Sequence, residues 1–371
     1  MFKAWNRMEQ KEKIFLSFWC ATLVVVALIS GIFLSMEQRA NVAASIERHA
    51  ARVGSATVES GQTEAEQTPP PGHEKDVVRT AKVGIYLDRI AELSIVASSW
   101  KADFYVWFTW TGDGINPGES FQVVNGEILS KTLVDKKDIG QQHYVLYRTT
   151  AQITKGFDIL RFPRDDHMLT ISIEDSAQQS YQLRFEADEN ASDLSSRVRV
   201  PGYKVLQKVV SVKPHSYKTS RGNPELPPSF RATYSQFTLG VLIGRPGWGM
   251  FFKLMGILYA AVGMALVALF VRSSCDRLAL QTGAIFAAAA NAYIISGIIP
   301  ETGVATLADQ MNWFGIACIG ITILQAVIYQ YRFEGVEERK DAAWLFDVTT
   351  FICLALLFAG LNVAVSLAAS R

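Results

Sequence analysis

Apolar residues gather into five long runs, Ile14–Met36, Gly249–Val271, Leu278–Ile299, Asn312–Tyr331 and Ala343–Ala368. Each is long enough to cross a bilayer core as a tilted helix. Between the first and second runs the pattern changes to a period of two. In Ala102–Trp110, Phe104, Val106, Phe108 and Trp110 alternate with Asp103, Tyr105, Trp107 and Thr109, and Lys82–Leu87 alternates likewise. That period in aromatic and β-branched residues predicts strands packed on at least one face. Further strands are predicted at Phe121–Leu129, His143–Gln152, Met168–Glu174, Tyr181–Ala187, Tyr203–Val212 and Phe230–Ile243. Turn residues at Gly112–Gly114, Asn116–Gly118, Asn125-Gly126 and Asn223-Pro224 separate them. Short strands at this spacing argue for a β-sandwich, and about 165 residues suffice for its core.

Residues 1–36 form a predicted N-terminal transmembrane anchor or signal. Residues 37–77 are rich in Ala, Glu, Gln, Ser and Thr and read as a tether, helical early and flexible late. Residues 78–246 form the β domain and 247–371 a four-helix membrane domain. The first apolar run exceeds the usual signal-peptide core, and no small-residue cleavage site follows it directly, which favours a retained anchor. Lys3, Arg7, Lys11 and Lys13 precede the first run; Arg272 and Arg277 separate the second and third; Arg332, Arg339 and Lys340 separate the fourth and fifth. If every run spans, all three groups fall on one side, which is then cytoplasmic, and the β domain lies across the membrane.

Net charge is +1 over 371 residues with no basic run, so nothing points to nucleic acid. The four cysteines, Cys20, Cys275, Cys318 and Cys353, lie in or beside the apolar runs, so no disulfide framework is expected in the β domain. The five histidines are scattered without ligand spacing, and no metal site or cofactor is predicted. Phosphate-loop, HExxH and GxSxG motifs are missing. The neighbouring acids Asp165-Asp166 and Glu174-Asp175 would point to opposite strand faces, so an enzyme is not expected.

The third run, within Ser274–Met311, is an unusual spanning helix. Asp276 and Arg277 sit at its start, Gln281, Thr282, Asn291 and Ser296 lie inside it, and small residues recur every three to four positions. Polar groups in hydrocarbon face a bundle interior or a water-filled path. Taken alone, the stretch reads equally as a pore-lining helix or as a tightly packed small-xxx-small helix.

An external β-sandwich followed by four spanning helices, the second small and polar, resembles the pentameric ligand-gated ion channel family (Cys-loop receptors and prokaryotic relatives). Three stretches carry the likeness. Phe157–Met168 is similar to the loop bearing the family's Phe-Pro-Phe-Asp signature, here Phe162-Pro163-Arg164-Asp165, without the loop cysteines, as in prokaryotic members. Leu242–Phe252 resembles the junction of the last strand with the first pore-domain helix, with Arg245 at the family's basic position. Arg277-Leu278, Pro300, Thr306 and Asp309 match the spacing of the pore helix and its outer loop. The N-terminal helix and tether depart from the family pattern, and the span from Trp110 to Phe162 is shorter than usual.

The resemblance implies a homopentamer in a bacterial inner (cell) membrane, conducting ions through five copies of the Asp276–Ile299 helix. Asp276, Ala279, Gly283, Phe286, Ala290, Tyr293 and Gly297 would line the pore. Phe286 would be a hydrophobic gate, unless it simply packs between helices, and Asp276 a cation-favouring ring, unless Arg277 neutralises it or itself lies along the pore. Phe162, Pro163, Asp165, Arg245 and Pro300 would couple sandwich to pore, with Asp165 paired to Arg245. Tyr217, Phe230 and Tyr234 would box an unknown small ligand. The expected partners are four further copies, membrane lipid, permeant ions and that ligand. A non-conducting membrane receptor of the same fold is the alternative.

Overall fold

The computed structural model describes residues 2–53, 69–70, 73, 77–224, 226–227, 230–300, 303–336 and 339–370. In chain order the elements are α1 (Phe2–Arg7), α2 (Gln10–Val53), β1 (Arg79–Ser94), β2 (Ser99–Thr111), the short α3 (Pro117–Ser120), β3 (Phe121–Val123), β4 (Gly126–Ile139) and β5 (Gln142–Thr154). Then come β6 (Asp166–Asp175), β7 (Leu183–Ala187), β8 (Asp193–Leu194), β9 (Lys204–Ser216), β10 (Thr233–Gly244), α4 (Gly249–Val267), α5 (Ser274–Ser296), α6 (Leu307–Arg332) and α7 (Lys340–Ala368). The chain divides into two compact units. A helical unit comprises Met1–Ala44, Ile159–Asp165 and Gly247–Arg371, and a β unit comprises Ser45–Asp158 and Asp166–Pro246.

In the β unit, one sheet runs β4-β5-β2-β1-β7, with β8 also paired to β1, and the other runs β3-β6-β10-β9. The period-two pattern sets the core. Phe104, Val106 and Phe108 of β2 and Ile85 of β1 share one buried cluster with Ile171 of β6 and Phe237 and Leu239 of β10. The predicted strand Phe121–Leu129 is two strands, β3 and β4, in different sheets. Asn125 makes the change of sheet: its Nδ2 donates to the Thr170 carbonyl at 2.7 Å and its Oδ1 accepts from Ser172 N at 3.1 Å. At the following Gly126, a Cβ would run into the backbone of Gln152 and Ile153, so only glycine fits. The long edge strand β4 carries Lys131, Lys136 and Lys137, which discourages pairing with another edge.

Five helices among the described residues are long and apolar enough to cross a membrane: Gln10–Ala50 of α2, α4 with its 3₁₀ continuation to Phe270, α5, α6 and α7. The chain is a membrane protein. The helix α2 continues past the expected anchor to Val53, because Ala, Glu, Arg and Gln beyond Met36 are good helix formers. The later part of the expected tether, at 54–68, 71–72 and 74–76, lies outside the described residues.

The loop Ile159–Asp165 was expected within the β domain but groups with the helices. Its carbonyls explain this. The first N–H groups of α6 have no partner inside the helix, and Leu307 N donates to the Leu160 carbonyl at 2.9 Å and Ala308 N to the Phe162 carbonyl at 3.0 Å. Thr306 and Asp309 complete a capping box at the same helix end.

Candidate functional site

Helix α5 has two distinct faces. Ser274, Arg277, Gln281, Ala284, Ala288, Asn291 and Ile295, spaced by three and four, are buried within the helical unit. Three polar members of this face, Arg277, Gln281 and Asn291, are hydrogen-bonded there. Arg277 donates from Nη1 and Nη2 to Asp347 at 3.0 and 3.2 Å, from Nη2 to the Leu269 carbonyl at 2.6 Å, and from Nε to the Val271 carbonyl at 3.3 Å. Gln325 Nε2 donates to the same carboxylate at 2.6 Å, and the guanidinium lies 4.2 Å from the Tyr329 ring centre. Further along, Gln281 donates to the Thr322 carbonyl at 3.0 Å and Asn291 to Asn312 Oδ1 at 3.2 Å. These bonds give Arg277, Gln281 and Asn291 the partners that polar groups in hydrocarbon need, while Gln281 Oε1 and Asn312 Nδ2 have none among the described residues.

On the other face, Asp276, Ala279, Gly283, Phe286, Ala290, Tyr293 and Gly297 are all exposed in the single chain, Phe286 by 70% and Tyr293 by 81%. Thr282 and Ser296 share the exposure, and their hydroxyls donate to the Leu278 and Tyr293 carbonyls of their own helix at 2.8 Å. Arg277 points away from this face into its bond with Asp347. It neither lies along the Asp276 face nor is directed at that carboxylate.

Of the expected coupling residues, Phe162 and Pro163 are buried, joined by a cis peptide bond, and Asp165 is buried beside them. Pro300 is half-buried at the end of α5, and the adjoining 301–302 lie outside the described residues. Arg164, which replaces the expected aromatic, turns out to seat the loop. Its guanidinium lies 4.3 Å from the Trp248 ring centre and donates to the Gly247 carbonyl at 2.5 Å and to Ser370 Oγ at 3.3 Å. Arg161 donates to the Ala369 carbonyl at 3.4 Å, satisfying a group at the C-terminal end of α7. Arg245 belongs to the β unit, where it lies 3.8 Å from the Tyr203 ring centre and donates to the Gly202 carbonyl at 3.4 Å.

Two of the three expected ligand residues come together. The Tyr217 and Tyr234 rings meet edge-on at 5.7 Å, and Arg221 lies 4.9 and 5.5 Å from their centres, so a cation of the chain itself occupies the box. Phe230 is half-buried in the preceding loop and makes no ring contact among the described residues. Behind the rings, fully buried Glu174 accepts from Tyr217 Oη at 2.8 Å and from Gln236 Nε2 at 2.9 Å. His215 Nδ1 is 3.0 Å from Glu174 Oε1 but off the line of a hydrogen bond.

Burial, with the Glu174 charge and hydrogen bond adding, pushes the Tyr217 phenol above its ordinary value near 10. A raised folded-state pKa contributes stability that is complete below the unfolded value and lost as pH climbs past it. Tyr217→Phe is therefore expected to cost about 1–3 kcal/mol near neutral pH by removing a donor from a buried carboxylate. It should also flatten the decline in stability above pH 10. Denaturant unfolding at pH 7 and about pH 11, followed by tryptophan fluorescence, checks both signs.

A cluster that the sequence does not announce lies where the end of α2 belongs to the β unit. Ser45 Oγ donates to Asp166 Oδ1 at 2.8 Å, and His49 Nε2 lies 3.1 Å from Ser45 Oγ and 3.2 Å from Asp166 Oδ1. The spacing Ser45–His49 is one helical turn, the only local signal. Carboxylate and hydroxyl share one ring nitrogen, so this is a polar clasp and not a nucleophile–base–acid relay, which needs the acid on the other nitrogen. Among the described residues, no group of three His, Cys, Asp or Glu could hold a metal ion. No protein-family model matches the chain and no curated protein matches it, so neither a family nor an activity is carried over from a relative.

Proposed function

We propose that the chain is one subunit of a gated ion channel of the pentameric ligand-gated type, homopentameric and cation-favouring, in a bacterial inner (cell) membrane. In this reading the N-terminus is cytoplasmic and the β unit periplasmic. The observation that carries it is the division of α5. Its strong hydrogen-bonding side chains, Arg277, Gln281 and Asn291, are spent inside the subunit, whereas Asp276, small residues and two aromatic rings are left on one continuous exposed stripe. A stripe facing lipid would leave an Asp unpaired at the membrane, which is costly. A stripe facing four further copies around an axis places the acid at a watery mouth and Phe286 at a constriction.

The core shared by the two sheets supports reading the β unit as a β-sandwich sensing domain. Within the helical unit a physical route reaches the stripe. The Phe162 loop caps α6, and α6 is joined to the pore helix through Asn312–Asn291 and Thr322–Gln281. A small ligand acting at Tyr217 and Tyr234 would have to compete with Arg221 for the rings.

Planar-bilayer recordings under a salt gradient test the reading. The open channel should reverse near the cation equilibrium potential, and Asp276→Ala should move that reversal toward zero. Currents that favour anions in both proteins would remove Asp276 as a filter while leaving a channel. Well-folded pentamers without current under any stimulus would favour a non-conducting sensor.

A further inference from the structure

The helix α2 is fastened to the other membrane helices at two places with a gap between them. Near its start, Arg332 donates twice to buried Glu12, at 3.2 Å each. The rings of Phe15 and Trp19 each lie 5.5 Å from that of Phe346, and Trp19 Nε1 donates to Thr350 Oγ1 at 3.0 Å. Further along, Gln38 Nε2 donates to Gln310 Oε1 at 2.9 Å, and Gln310 Nε2 donates in turn to Glu37 Oε1 at 3.2 Å. Between the two fastenings lies a cavity of about 730 Å³, walled by α2 and α6 and floored by Leu354, Leu357 and Phe358 of α7. Val26 and Phe33 on one wall look across to Trp313 and Ile321 on the other.

We infer that this cavity is a binding site for a membrane lipid whose head carries a primary ammonium group. From Trp19 to Glu37 the groove is roughly 27 Å long at 1.5 Å per residue, close to the hydrocarbon thickness of about 30 Å, so it matches an acyl chain lying along α2. Its volume falls in the roughly 300–1,000 Å³ of small-molecule sites, and its walls are nearly all apolar. Water has too few partners there. In lipid, collapse of α2 onto α6 has no hydrophobic driving force, while an empty gap forfeits dispersion contacts on both walls. An apolar chain supplies them.

The polar end sets the head chemistry. The amide chain Gln38→Gln310→Glu37 runs in one direction and ends on a carboxylate. Among the described residues, Glu37 Oε2 has no hydrogen-bond or ionic partner. An anionic acceptor at the mouth of an apolar groove calls for a cationic donor. A primary ammonium has N–H groups to give, a choline head has none, and a glycerol head brings its hydroxyls with an uncompensated phosphate.

Native mass spectrometry of the full chain in detergent tests this, with phosphatidylethanolamine, phosphatidylcholine and phosphatidylglycerol of identical acyl chains added separately. Phosphatidylethanolamine should be retained at least about tenfold better than the other two, the size of one charge-assisted hydrogen bond. Glu37→Gln should bring the three heads level. Ala317→Trp, which fills the middle of the groove, should lower retention of all three. Because that variant carries a large side chain into a helix interface, a second readout uses the unfilled groove: phosphatidylethanolamine brominated on its acyl chain should quench tryptophan fluorescence more in the parent than in Trp313→Phe. Equal retention of all heads, unchanged by Glu37→Gln, would mean ordinary boundary lipid and overturn the proposal. A single-chain alkylamine retained as well as phosphatidylethanolamine would assign the groove to free amphiphilic amines and overturn the lipid. These readouts measure binding and do not depend on whether the protein conducts.

Discussion

Replacing Phe286 by alanine is expected to turn a closed pathway into a leak. Phe286 stands one turn beyond Gly283 and one turn before Ala290 on the exposed stripe of α5, so it is the widest side chain between the Asp276 end and Tyr293. It is 70% exposed in the single chain and contributes little to the packing of its own subunit. Five such rings meeting at an axis would exclude water, and a dewetted constriction stops ions without a physical plug. Burying a Phe side chain is worth about 1.5–3 kcal/mol. Losing even one ring's share from the closed state therefore shifts the closed-to-open balance by roughly ten- to a hundredfold. The variant should show standing cation current in planar bilayers without any ligand, while its thermal stability in detergent stays near that of the parent. A silent variant that still forms well-folded pentamers would count against conduction altogether. One that falls apart into monomers would instead make Phe286 a packing residue between copies.

The two faces of α5 show how far the sequence could be read. Positions spaced by three and four mark which residues share a face, and the seven positions that the resemblance assigns to a pore lining share one exposed face in the single chain. Spacing alone could not say which face turns inward, because both carry polar groups. That choice depends on Asp347, Gln325, Thr322 and Asn312, far along the chain on α6 and α7, whose pairing no local pattern reveals. In the β unit the alternation of Ala102–Trp110 identified a core strand directly. The split of Phe121–Leu129 between sheets was hidden, because it hangs on side-chain bonds from Asn125 to Thr170 and Ser172. The loop Ile159–Asp165 was legible as a special segment, but not as a part of the helical unit. Its attachment uses backbone carbonyls, which any residue carries, and Arg164, which looked like a lost aromatic. Long-range polar pairing and backbone capping are the terms that a period cannot encode.

The Arg277–Asp347 pair provides the second large expected effect, and it separates folding from conduction. Arg277 is 2% exposed and holds carbonyls at the end of α4, a carboxylate on α7 and a ring on α6, so one side chain ties together the corner where α5 begins. Removing one partner of a buried pair leaves an uncompensated charge, which costs about 3–5 kcal/mol. Arg277→Ala and Asp347→Ala should each destabilise the helical unit by that amount, read as loss of monodisperse protein on heating in detergent. Arg277→Lys should rescue only part, because a single ammonium cannot reach the Leu269 and Val271 carbonyls and the carboxylate together with a fork's geometry. The double variant Arg277→Met with Asp347→Leu decides the matter. If the pair acts by cancelling its own burial, the apolar double should recover most of the loss, since well-packed replacements of buried pairs are often neutral or stabilising. If the double is as unstable as the singles, the essential contacts are those to the Leu269 and Val271 carbonyls, which a methionine leaves unpaired in hydrocarbon. Because Arg277 faces away from the exposed stripe, a stable double variant should keep the ion preference of the parent. A changed reversal potential would place the guanidinium's field in the pore after all.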